Sequence, residues 1–126
     1  MALEQPGFAV GFCVAAADLS AKQFYCVKVT AAKTVGLTAA AGEAALGVLQ
    51  NKPKSGEVAN VMCIGVTKLI AGAGDLAAGA QWEANSDGKG ITAATGKVGM
   101  GTVLIGAVAG GVATVTVGIG AGNTLA

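Results

Sequence analysis

Gly47-Val48-Leu49-Gln50, then Asn51-Lys52-Pro53-Lys54-Ser55-Gly56-Glu57, then Val58-Ala59-Asn60-Val61-Met62-Cys63-Ile64-Gly65-Val66-Thr67-Lys68-Leu69: the fold turns on this stretch. Two apolar runs rich in β-branched residues flank a charged segment holding Pro53 and Gly56. That segment has the composition of an exposed hairpin loop. The first run is a short strand. The second predicts a long strand with Val58, Met62, Ile64, Val66 and Leu69 available for burial.

Working outward, Phe24–Thr30 and Lys33–Thr38 read as two more strands joined through Ala31-Ala32. Beyond the hairpin, Ala80–Ala84 holds the lone tryptophan, Trp82, and Ile91–Ala93, Val98–Ile105 and Val112–Ile119 follow as strands. Asn85-Ser86-Asp87-Gly88-Lys89-Gly90 carries an Asp-Gly hairpin signal. Helix is confined to turns at Leu19–Gln23 and Asp75–Ala78. At the start, Phe8, Val10 and Phe12 alternate with Ala9, Gly11 and Cys13, a period-two pattern. The expectation is an all-β chain: a small antiparallel β-barrel or sandwich with little helix. Residues 1–20 form an extended N-terminal arm and residues 21–126 a single β-rich domain. An ordinary first strand of the core is the alternative for the arm.

Composition narrows the function. The 126 residues are 53% hydrophobic and only 12% charged, about half the charge of a usual soluble domain. Glycine (21) and alanine (27) make up 48 residues. A core built from such small side chains buries little apolar area, so self-association or docking on something larger is expected. The eight basic residues are all lysine and the net charge is +1. Nucleic-acid binders show a basic excess and use Arg for bidentate contacts, so nucleic acid is not an expected partner. Histidine is absent, which removes His-based triads and His metal sites. Cys13, Cys26 and Cys63 form no CxxC and read as free, buried thiols. The first eleven residues carry Glu4 and no Lys or Arg, so the basic n-region of a signal peptide is missing. Residues 98–126 hold no charge over 29 positions, long enough for a membrane helix. Eight glycines fall within them, and Val112–Ile119 alternates like a strand, so no membrane span is expected.

Near-matches to chemical motifs fail on their own requirements. Gly72-x-Gly74-x-x-Ala77 fits a loose dinucleotide fingerprint, but the segment after it is too short for the helix that holds a pyrophosphate. Gly90 to Lys97 places five residues between its glycines where a P-loop needs four, and Val98 replaces the magnesium-binding Ser or Thr. Glu83, Asn85, Asp87 and Gly88 echo a calcium loop whose twelfth position would be Ala94. Lys54-Ser55 is the remaining nucleophile–base pair, on a solvated loop. No enzyme activity, catalytic residue, cofactor or metal is therefore expected. Tyr25 and Trp82 could anchor an interface; for large side chains in so small-residued a chain, the core is the preferred place.

Gly47-Val48-Leu49-Gln50, the charged turn, Gly56-Glu57-Val58-Ala59-Asn60-Val61 and Gly65-Val66-Thr67-Lys68 together resemble the small capsid decoration (cement) proteins of tailed bacteriophages. Gly72–Ala80, Thr95-Gly96-Lys97-Val98-Gly99 and the closing Val112–Gly118 strand are similar in style. The resemblance spans about residues 24 to 120 and rests on a cadence of Gly, Ala, Val and Thr. It implies a structural virion protein, made in the host cytoplasm, on the outer surface of an icosahedral head. Its partners would be the major capsid protein and itself, as a homotrimer at junctions between capsomers, with no nucleic acid and no membrane. The arm, which the resemblance does not cover, is expected to contact shell or neighbouring subunits through Leu3, Phe8, Val10 and Phe12, since a strand can add to an exposed sheet edge. Another β-structural virion module, a spike or carbohydrate-binding head or tail protein, is the alternative; a small membrane protein ranks behind it.

Overall fold

The computed structural model describes residues 5–94 and 99–118. Among them are nine strands and no helix: β1 (Gln5–Ala15), β2 (Cys26–Ala31), β3 (Thr34–Leu37), β4 (Gly47–Leu49), β5 (Val58–Ile70), β6 (Gln81–Ala84), β7 (Gly90–Thr92), β8 (Gly101–Ile105) and β9 (Val112–Val117). The fold is all-β. The expected strands are present with ends shifted by a few residues; Val98 and Ile119 lie outside the described residues. The helical turn expected at Leu19–Gln23 is a pair of hydrogen-bonded turns, Lys22 N–H to Leu19 O and Tyr25 N–H to Lys22 O, whereas Asp75–Ala78 carries a bridge from Leu76 to Ala107 and the turn follows it, Ala80 N–H to Ala77 O.

The strands run in the order β1-β3-β2-β4-β5-β9-β8-β6-β7, and β1 pairs back onto β5. The first five in that order therefore close into a barrel. All pairings are antiparallel except β1 with β3, which run parallel at Val14–Thr34 and Ala15–Val35. The hairpin read from the sequence joins β4 to β5. Asn51 closes its neck, its Nδ2 donating to Val58 O and its Oδ1 accepting from Asn60 N–H.

Two cores result. Cys13, Ala15, Leu19, Val27, Val35, Leu49, Ala59 and Val61 fill the barrel. A five-stranded barrel is narrower than the eight-stranded one whose interior side chains just fill, which is why these residues are small. The second core lies where β5 leaves the barrel and pairs with β9 over Gly65–Val117 to Ile70–Val112. It packs Trp82, Leu69, Leu76, Met100, Val103, Val115 and Val117 against Cys26 and Val48. Neighbours on one strand thus serve different cores: Cys26 and Val27 on β2, Val48 and Leu49 on β4. Trp82 is fully buried, as the core reading expected.

The long strand β5 corrects one expectation. Burial falls on Ala59, Val61, Met62, Thr67 and Leu69, while Val58 and Ile64 are exposed. Ala59 and Val61 face the barrel interior, and the alternation of the strand turns Val58 and Ile64 to the other side.

Candidate functional site

The segment expected as a peripheral arm is extended over Gln5–Ala15 and is hydrogen-bonded to β5 of the same chain, from Gln5–Val66 to Val14–Val58. Its register is irregular at three points, between Gln5 and Phe8, Phe8 and Ala9, and Val10 and Cys13. Such irregularities break the simple period of two and re-aim side chains.

They decide where the candidate residues go. Phe8 and Phe12 are 63% and 65% exposed. Val10 does not share their face: it is half-buried and packs against the barrel core. Leu3 lies outside the described residues. The strand contributes Phe8 and Phe12 to a surface that β5 completes, for Phe8 stands directly opposite Ile64 and Val14 opposite Val58. Val58 and Ile64, 53% and 51% exposed, were assigned to the interior by sequence reasoning. Residue type holds no signal for them, since Val58 lies outside and Val61 inside although both are valine.

This face is uncharged as well as apolar. Residues 5–15 and 58–64 contain no Lys, Asp or Glu. An edge left open to solvent is usually blunted by charge, and a cluster of exposed large apolar residues marks an interaction surface. Among the described residues, β1 pairs along Gln5–Cys13 with β5 alone, its contact with β3 being confined to Val14 and Ala15. Backbone groups on the other side of that stretch therefore face away from the sheet.

Chemistry elsewhere is sparse. Complete burial pushes the Cys26 thiol up to about 12, and burial also raises that of Cys63 despite a hydrogen bond from Val10 N–H. Both shifts favour the thiol over the thiolate, which is the reactive form. Lys54 and Ser55 are exposed on the β4–β5 loop. Glu83 is buried with its Oε2 unpartnered among the described residues. Among the described residues no three His, Cys, Asp or Glu side chains converge to hold a metal, and no helix is long and apolar enough to cross a membrane.

Fold and face together define a small β-barrel module with an exposed apolar face on β1 and β5. No protein-family model and no curated protein sequence matches the chain. Among solved structures it is similar to the N base of the head fiber gp8.5 of bacteriophage phi29. The TM-score is 0.69 at 16% identity, over 87% of this chain and 94% of that one. At that identity the likeness is one of fold.

Proposed function

We propose that this chain is a non-catalytic structural module of a bacteriophage virion. It seats on the outer surface of the head through the β1–β5 face, at junctions between capsomers, with the major capsid protein as partner and further copies of itself, as a homotrimer, alongside. The observation that carries this reading is the uncharged face on which Phe8, Phe12, Val58 and Ile64 are exposed together. Burying such a face removes apolar area from water at little desolvation cost, because it has no charge to strip. The fold likeness to a phage head fiber base and the resemblance of residues 24–120 to decoration proteins support the same setting from independent directions.

A second reading is favoured by the neighbour being a fiber base: the module seats a projecting fiber rather than stiffening the shell. Both readings place it on the head. The test is co-sedimentation of the purified chain with heads that lack it. Saturable binding supports the proposal, and capsids that then resist heat or osmotic shock better than bare ones support the cement role over the fiber seat. Protein that stays in the supernatant overturns both.

A further inference from the structure

Three lysines sit over aromatic rings instead of beside carboxylates. Lys22 Nζ lies 4.9 Å from the centroid of the Tyr25 ring, and Lys89 Nζ lies 6.0 Å from the same centroid. Lys68 Nζ lies 5.5 Å from the centroid of the Phe24 ring. Three segments far apart in sequence meet here: the lead into β2, the end of β5 and the β6–β7 turn.

Each segment is held. The turn is fixed by Asn85, whose Oδ1 accepts the backbone N–H of Asp87 and of Lys89 at 2.8 and 2.9 Å. It is tied to the lead of β2 by Cys26 N–H donating to Gly88 O at 2.6 Å. The lead is tied to β4 by Phe24 N–H to Leu49 O and Leu49 N–H to Tyr25 O, at 2.7 and 2.8 Å. Phe24 takes a φ of 68°, a backbone region that bulky side chains rarely adopt and that tends to mark functional segments.

A ring face attracts an ammonium through its quadrupole and leaves the charge and the N–H donors unneutralised. The ion pair among the described residues is elsewhere, between Lys28 and Glu43. Lys22, Lys68 and Lys89 are therefore positioned without a carboxylate partner there, and all three are partly exposed. Asp87, the acid of the turn, is exposed and forms no ion pair with Lys89.

We propose that Lys22, Tyr25 and Lys89, with Phe24 and Lys68, form a binding site for an acidic polysaccharide. Ammonium groups brought together from three segments suit a chain that carries its anions at intervals. Lysine accepts carboxylate or sulfate as a point charge, without the planar match that arginine demands. The rings hold the ammonium groups in place and leave their outward N–H donors to the acid groups of a ligand. Single-stranded nucleic acid fits less well, because bases need open ring faces for stacking and here ammonium groups occupy them.

Binding of the full chain to polygalacturonate, dextran sulfate, neutral dextran and oligo(dT) at low salt, followed by titration calorimetry, tests this without any shell present. A failure is thus separate from failure of the docking proposal. Saturable binding to polygalacturonate or dextran sulfate and none to dextran is expected, the tighter polymer naming the acid group. Lys22→Gln with Lys89→Gln should weaken it about tenfold or more, as loss of charge-assisted contacts does. Tyr25→Leu should also weaken it, while Lys52→Gln with Lys54→Gln should leave it unchanged. Far-UV circular dichroism checks that the variants fold. No binding to either acidic polymer, equal binding by the Lys22/Lys89 variant, or tighter binding to oligo(dT) would overturn the proposal.

Discussion

Phe8 on β1 stands directly opposite Ile64 on β5, and both side chains are more than half exposed. A cross-strand apolar pair stabilises a sheet by about 0.2–1 kcal/mol, too little to explain two large side chains kept in water. On the proposed function, the pair belongs to a surface that a partner covers. Phe8→Ser and Ile64→Thr should each change folding stability by about 0.5–1 kcal/mol at most, as surface substitutions do. Each should weaken binding to phage heads about 30-fold, the loss expected of a central interface anchor. Urea denaturation and co-sedimentation measure the two quantities separately.

Close backbone approach makes two glycines irreplaceable. A Cβ at Gly47 would run into the carbonyl oxygen of Met62, and one at Gly101 into that of Thr116. Neither obstacle is the end of a flexible side chain. Gly47→Ala and Gly101→Ala should each cost about 3 kcal/mol, the upper range of overpacking. Gly11→Ala, where nothing lies within 4 Å, should be close to neutral. Urea midpoints of the three variants decide it.

The buried indole of Trp82 donates its Nε1–H to Thr116 O at 2.9 Å, joining β6 to β9 through the second core. Trp82→Phe keeps most of the packing and should cost about 1 kcal/mol for the lost hydrogen bond, plus the smaller ring. Trp82→Ala should cost about 3–5 kcal/mol. Chemical denaturation followed by circular dichroism gives both values.

Cys26 has no exposed surface and its thiol is pushed up to about 12. Iodoacetamide should leave it unmodified in the native protein at neutral pH and label it fully in urea. Mass spectrometry of the two digests reads the difference directly.

Glu43 gives a pH dependence whose direction is fixed. Ala39 N–H donates to its Oε1 and Lys28 Nζ to its Oε2, each at 3.0 Å. The Ala39 N–H first, and then Lys28, holds the carboxyl below the usual range. A folded-state pKa below the unfolded one gives stability that is present above the unfolded value and is lost as pH falls through the folded one. Glu43→Gln should therefore melt below the parent at neutral pH, with the gap closing in acid beneath the ordinary carboxylate range. A series of thermal melts against pH checks it.

Local signals in the sequence were enough for the strands and their hairpins. Pro53, Gly56 and the flanking charges marked the β4–β5 turn, and Asp87-Gly88 marked the β6–β7 turn. Barrel closure was hidden because it depends on pairing β1 with β5 about fifty residues away, and alternation along one strand carries no partner. The same strand shows why the exposed apolar face was only half legible. Its alternation pointed to Phe8 and Phe12, but the register shifts that turn Val10 inward depend on β5. Val58 and Ile64 read as core residues because alternation along one strand does not say which of its faces turns inward. The lysine–tyrosine cluster joins residues 22, 25 and 89, a juxtaposition that only the folded chain makes.

Cryo-electron microscopy of phage heads saturated with the chain tests the central claim most directly. The account predicts the module on the outer surface with the β1–β5 face turned toward the shell or a neighbouring copy, and with Phe8, Phe12 and Ile64 covered. A decorated head in which that face points to solvent, or a head that carries no added density at all, would contradict it.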